Sequence, residues 1–321
     1  APTENKEAYD IYLKGRFYWN RRGPGLKKGL EYFLQAVALD PEFSLAHAGI
    51  ADTYALFAFY AVMPPHHAVP KAKQAAERAI QLNPARVEPY ALLAFLTTFY
   101  DRDWAEAKKQ FEKAIAINPD YSPGHYWYSN YLSWVERDFD HSIAEALISI
   151  ELEPLISHSH NTLASAYLCS GQFELALKES QTAIELDANS FIAYSCLSTA
   201  LYGLGKYEEA IEASKFSLKI SGRHQYPLIE LSWQYYMRDD IPEAQKILDE
   251  LILRSKTEFI SGLSLSVAAY SSKNYDMVSQ FLEQAFEERS SFLVTIGVYP
   301  FCSFIKTDPR FQSFLERMNF P

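Results

Sequence analysis

Three groups of residues have types and spacings that could do chemistry. His158-Ser159-His160, with His125 further upstream, offers imidazole ligands for a divalent metal. On a helix, residues two apart point to different sides, so one ion is poorly served. The expectation is packed or exposed histidines and no metal site. Cys169, Cys196 and Cys302 form no CxxC pair, so neither a zinc site nor a disulfide framework is expected. Free thiols in a reducing compartment fit better. Acidic pairs such as Glu208-Glu209 sit where a helix faces solvent, and solvation is the expected role. His66-His67 beside Pro64-Pro65 reads as an exposed loop. The chain has no GxSxG, no HExxH, no phosphate loop and no dinucleotide fingerprint. These readings predict no enzyme activity and no cofactor.

The elements that would position such residues repeat along the chain. Leu163, Ala164, Tyr167, Gly171, Phe173, Ala176 and Ala183 alternate small and large apolar residues at helical spacing. Leu197, Ser198, Leu201, Gly205, Tyr207, Ala210 and Ser217 do the same, 34 residues later. That period is the mark of a helix–turn–helix repeat. Short turns supply a second ruler: Leu39-Asp40-Pro41, Leu82-Asn83-Pro84, Ile117-Asn118-Pro119, Leu152-Glu153-Pro154 and Leu186-Asp187-Ala188. Proline suits these points because one helix has ended and the next has not begun. The repeats are placed at about 8–41, 44–84, 87–119, 122–154, 157–188, 191–222, 225–254 and 259–289. The second carries about nine extra residues around Ala58 to Pro70. An array over 1–290 is followed by a capping segment, 291–321, in which Asp308-Pro309-Arg310 starts a closing helix.

Composition fits this reading. Hydrophobic residues make up 48% of the 321 residues, which excludes wholesale disorder. The net charge of −10 argues against a nucleic-acid groove. The small basic run Arg16, Arg21, Arg22, Lys27 and Lys28 reads as a solvated helix end. No apolar run is long enough to span a membrane, and no signal peptide is visible. A cytoplasmic location is expected. The opening Ala1-Pro2-Thr3 lacks a Met, which suggests a piece of a longer protein.

These residues resemble the tetratricopeptide repeat family. Tyr12-Leu13-Lys14-Gly15-Arg16 with Trp19-Asn20, Asp103-Trp104-Ala105-Glu106-Ala107, Tyr126-Trp127-Tyr128 and Thr307-Asp308-Pro309-Arg310-Phe311 carry a narrower resemblance. It is to the C-terminal repeat region of multidomain bacterial signalling proteins: winged-helix regulators, protein kinases and nucleotide cyclases. The resemblance implies an all-α fold, an α-solenoid of about eight repeats in a right-handed superhelix with a C-terminal capping helix. First helices would line a concave face. Mapping their outward residues gives Tyr12, Arg16, Trp19 and Asp52, then Phe95 and Phe99, then Tyr126, Asn130 and Trp134. His158, Asn161 and Ser165 follow, then Ser195, Thr199 and Tyr202, then Tyr226, Trp233 and Tyr236. Asn130 and Asn161 can bind a peptide backbone through donor and acceptor together. A carboxylate clamp is not expected, because Arg16 stands alone among aromatic and neutral residues. The implied function is a non-enzymatic interaction or sensory domain. It would bind a protein or peptide in that groove and regulate a bacterial signalling or transcription effector fused upstream. Other readings are the regulatory region of a kinase or cyclase, and a self-assembling scaffold.

Overall fold

The computed structural model describes residues 3–21, 23, 25–300 and 308–321. Ala1, Pro2, Arg22, Cys302 and Thr307, singled out above, lie outside them. The described residues form seventeen α-helices and no strand. They fall into two compact units, Ala1–Gly124 and His125–Pro321.

In the first unit, α1 (Lys6–Asn20) pairs with α2 (Gly25–Leu39), α3 (Ser44–Phe59) with α4 (Pro65–Leu82), and α5 (Glu88–Leu96) with α6 (Trp104–Ile117). The α7 helix (Ser122–Tyr131) starts at the border. The second unit continues with α8 (Phe139–Leu152), α9 (Ser157–Cys169) and α10 (Phe173–Leu186). Next come α11 (Phe191–Gly203), α12 (Tyr207–Ile220), α13 (Gln225–Met237) and α14 (Ile241–Arg254). It ends with α15 (Gly262–Ser271), α16 (Tyr275–Glu287) and α17 (Pro309–Met318). Within each unit a helix packs on its own partner and on the next pair, as in α2 on α3 or α10 on α11. This is an α-solenoid.

Sequence explains the division of labour. First helices such as α3, α11 and α15 are apolar or small on nearly every side, and they lie between neighbours. Second helices bury one stripe: Ala107, Phe111 and Ala114 on α6, or Ala176, Ser180 and Ala183 on α10. Small residues let the helices approach. Phe33 is fully buried between Gly15 on α1 and Gly49 on α3. A Cβ on either glycine would meet its ring at 2.6 or 2.8 Å. Serine hydroxyls tie first to second helices at other small positions. Ser142 Oγ donates to Ser129 O (2.8 Å), and Ser198 Oγ donates to Ala210 O (2.9 Å). Side chains also start the helices: Asn5, Asp103, Asp138, Ser190, Asp240 and Ser261 each accept from a backbone N–H of the first turn.

Two details were not visible as repeats. A left-handed backbone residue ends the turn inside each later pair: Arg102, Arg137, Gly171, Gly205, Asp239 and Lys273, each 34 or 35 residues after the last. In the two 35-residue repeats, the first helix ends in a π turn, Thr97–Asp101 or Leu132–Glu136. The extra residue is absorbed there. His66 and His67, expected in a loop, are exposed in the first turn of α4 instead. Pro65 at the first helical position has its φ already set for a helix, and much of the insertion extends α4.

At the C-terminus, Asp308 caps α17 and Pro309 opens it. Phe314 packs edge-on against Phe286 at 5.5 Å, and Arg317 makes a two-pronged pair with Glu283. No helix among the described residues is long and apolar enough to cross a membrane.

Candidate functional site

The first-helix face of the first unit carries six of the mapped residues: Tyr12, Arg16, Trp19, Asp52, Phe95 and Phe99. Tyr12 is buried, its ring 5.2 Å from Phe43 and 5.7 Å from Phe33. The half-buried Arg16 stacks over Trp19 at 4.5 Å and donates to the buried Asp52 at 3.4 Å. Arg86 pairs with Glu88 at 3.5 Å. All four of these charges act on the Tyr12 hydroxyl, whose pKa is raised, chiefly by burial. Phe95 packs 5.0 Å from both Phe59 and Phe99. Tyr12, Trp19 and Phe95 therefore hold repeats together, and Arg16 with Asp52 forms a polar centre among them. Arg86 and Glu88 belong to that centre and sequence reading missed them. They precede and open α5, where a short turn gave no hint that their side chains approach α1.

In the second unit, Tyr126 stands edge-on to His158 at 4.8 Å. Asn130 and Trp134 are buried on α7 and its π turn. Asn161 is buried. Its Nδ2 donates to Ser190 Oγ (3.3 Å), and its Oδ1 has no hydrogen-bond partner. Tyr202 packs 4.2 Å from Trp233. Tyr236 packs instead on Tyr270, edge-on at 5.5 Å. His125 and His160 each bind a glutamate of the partner helix, Glu145 (2.6 Å) and Glu179 (2.8 Å). Among the described residues, no group of three His, Cys, Asp or Glu side chains could hold a metal ion.

A segment of the same chain lies on this face. After α16, a 3₁₀ turn (Ser291–Thr295) packs on the π turn Leu132–Glu136. Phe292 meets Tyr226 at 4.2 Å. Gly297 passes close to the Arg137 side chain: a Cβ there would lie 2.9 Å from Arg137 Nη2, the mobile end of that side chain. Tyr299 packs on the cluster formed by Ala164, Leu168, Ala176, Cys196 and Ala200. Its hydroxyl lies beside Ser165 and 3.9 Å from Cys196 Sγ. Leu293, Val294 and Ile296 are fully buried. The segment thus touches the π turn after α7 and residues of α9, α10, α11 and α13, and it reaches Ser165 and Tyr226 of the mapped set.

The floor beneath it is nearly uncharged. Glu230 on α13 is 4% exposed and accepts from Thr199 Oγ1 at 3.1 Å. Burial pushes its carboxyl up to about 8, so it stays protonated at neutral pH. Burial likewise pushes Cys196 up to about 12, which leaves it an inert thiol. Among the described residues, Cys169 and Cys196 form no disulfide. Sequence reading placed Glu230 in no role, and it treated 291–299 only as the start of a capping segment. A long uncharged stretch with an aromatic at each end was the available signal.

No family model matches this chain, and no curated protein matches it. Solved structures do. A chain of the APC/C hetero-tetramer Cut9–Hcn1 is 12% identical with a TM-score of 0.66, covering 99% of this chain and 57% of that one. An IFIT1 monomeric mutant solved with Gppp-AAAA is 15% identical with a TM-score of 0.62, covering 87% and 71%. Yeast Tom70 is 14% identical with a TM-score of 0.54, covering 98% and 68%. At these identities the likeness is one of fold, and the repeat arithmetic, the helix pairs and these neighbours agree on it: this chain has the tetratricopeptide-repeat fold.

Proposed function

We propose that this chain is a non-enzymatic interaction module that binds a protein or peptide segment on the face built by its first helices. One observation carries the reading: a stretch of polypeptide, residues 291–299, already lies on that face in the second unit. A surface that packs Phe292 and Tyr299 is complementary to a peptide. Aromatic burial supplies affinity, and the Asn130 and Asn161 amides would set the register of the backbone. The narrower resemblance adds a role in bacterial signalling, in which the array regulates an effector fused upstream. A cytoplasmic setting fits that role. The IFIT1 neighbours were solved with Gppp-AAAA or PPP-AAAA. Here the net charge of −10 and the uncharged floor around Glu230 favour a peptide over an oligonucleotide.

Panning a displayed random-peptide library on the full chain tests the proposal. Binders are expected at micromolar affinity, and Asn161→Ala or Tyr226→Ala should weaken them about tenfold, roughly 1.4 kcal/mol. Peptides that bind equally well to both variants would refute the assignment of the face.

A further inference from the structure

The chemistry of residues 291–299 says what kind of partner the second unit takes. We propose that the partner is an uncharged, aliphatic-rich peptide with an aromatic residue near each end, and that 291–299 hold its place as a tethered competitor. The proposal rests on the reading of this face as a peptide site.

Three contacts define the specificity. The first is an aromatic slot at Tyr226, which takes Phe292 face-tilted at 4.2 Å. The second is a close approach at Arg137, where a Cβ on Gly297 would stand 2.9 Å from the guanidinium. The third is a hydroxyl position formed by Ser165 and Cys196, which takes the Tyr299 phenol. Between them Leu293, Val294 and Ile296 have no exposure. No residue from Ser290 to Pro300 is charged. That suits the part of the floor around Glu230, which is buried against Thr199. A charged side chain placed there, away from Arg137, would lose hydration without gaining a partner.

The ends of the segment explain why it competes and does not simply leave. It follows α16 directly, and α17 beyond it is fixed by Phe311, Phe314 and Arg317. A segment tied at both ends has an effective concentration in the millimolar range at its own site. A free peptide of equal intrinsic affinity then binds with a Kd raised by the fraction of molecules whose face is covered. Displacement needs no unfolding of the helix pairs, because the contacts of the segment described here are with side chains and turns.

The test uses the full chain and a synthetic peptide with the sequence of residues 290–300, blocked at both ends. Gly297→Arg places bulk against Arg137 and should lift the segment without altering any residue of the face. The peptide should bind this variant at least about tenfold more tightly than it binds the unaltered chain. A peptide with two of the aliphatic residues changed to Asp should bind neither. Circular dichroism establishes whether Gly297→Arg is folded. Should it not be, Phe292→Ala, which only vacates the Tyr226 slot, replaces it, with a gain of about threefold or more expected. Equal affinity for the folded variant and the unaltered chain, or no binding to either, would overturn the proposal. So would tight binding of the Asp-bearing peptide. Library peptides that map to the first-helix face but are charged, and are indifferent to Gly297→Arg, would overturn this inference and leave the peptide-site reading standing.

Discussion

The two units carry the same helix pairs but opposite electrostatics on the first-helix face. In the first unit, Arg16, Asp52, Arg86 and Glu88 surround Tyr12, with Trp19 stacked under one guanidinium. In the second, the acid at the floor is neutral, the hydroxyls of Ser165, Ser195, Thr199 and Tyr299 supply the polarity, and an uncharged segment lies on top. The backbone framework is indifferent to this change, because repeat contacts use Ala, Gly, Ser and Phe at positions other than those that face outward. A solenoid can therefore hold two recognition chemistries in one chain, since each pair needs to be complementary only to its neighbours.

Glu230→Gln gives the largest expected effect on this contrast. In the unfolded chain the carboxyl titrates near 4.5, and in the folded chain near 8. Below 4.5 both states are protonated and the site is neutral in stability. As pH rises from 4.5 to 8 the unfolded chain ionises and the folded one does not, so the folded state loses ground steadily. Above 8 both are ionised and the penalty is complete. Gln keeps the shape and removes the titration. The variant should match the unaltered chain at pH 4 and exceed it by a few kcal/mol at pH 8, read from urea midpoints. A stability difference independent of pH would mean that the second face is not the neutral one described here.

Asp52→Ala probes the charged face and should cost about 1–2 kcal/mol, because Arg16 loses the partner that holds it over Trp19. Arg16 is half-buried, so solvent and salt screen it. The cost should shrink between low and high ionic strength, whereas the Glu230→Gln gain should barely move. Equal salt dependence at the two sites would erase the contrast between the units.

Much of the solenoid was legible in the sequence because its contacts are local. Gly171 and Gly205 sit at positive φ in equivalent turns, and the Pro turns mark the helix ends between pairs. The same left-handed turn recurs at Arg102, Arg137, Asp239 and Lys273, where no glycine advertises it. A non-glycine residue pays about 1–2 kcal/mol there, and the packed pair on either side supplies it. The mapped face was legible as a set of first-helix positions but not as a surface with an occupant. Tyr226 and Phe292 meet across the fold, and Cys196 and Tyr299 are 103 residues apart in sequence. Periodicity reports neighbours one turn or one repeat away. It carries no trace of a segment that leaves the register and folds back. Burial of the mapped aromatics has the same origin: a stripe at helical spacing reads alike whether it faces a groove or the next helix.

His160 separates the faces from the scaffold that presents them. It lies on α9, a first helix, but its ring turns to α10, where Nδ1 meets Glu179 at 2.8 Å, while Nε2 meets Pro154 O at 3.1 Å. The Glu179 hydrogen bond raises its pKa above the ordinary value of 6.5, against the opposing effect of burial. A raised histidine pKa means that the folded state binds the proton more tightly. The stabilisation is fully present below pH 6.5 and is lost as pH rises through the folded value. His160→Gln should therefore cost about 1 kcal/mol at pH 5.5 and clearly less at pH 9, by thermal or urea unfolding. It should leave the affinity of the 290–300 peptide for the Gly297→Arg chain unchanged, because nothing in the bond between α9 and α10 faces the segment. A loss of affinity matching the loss of stability would mean that the face and the helix pair are one cooperative object. The electrostatic contrast between the two units would then have to be read as a property of scaffold packing, not of recognition.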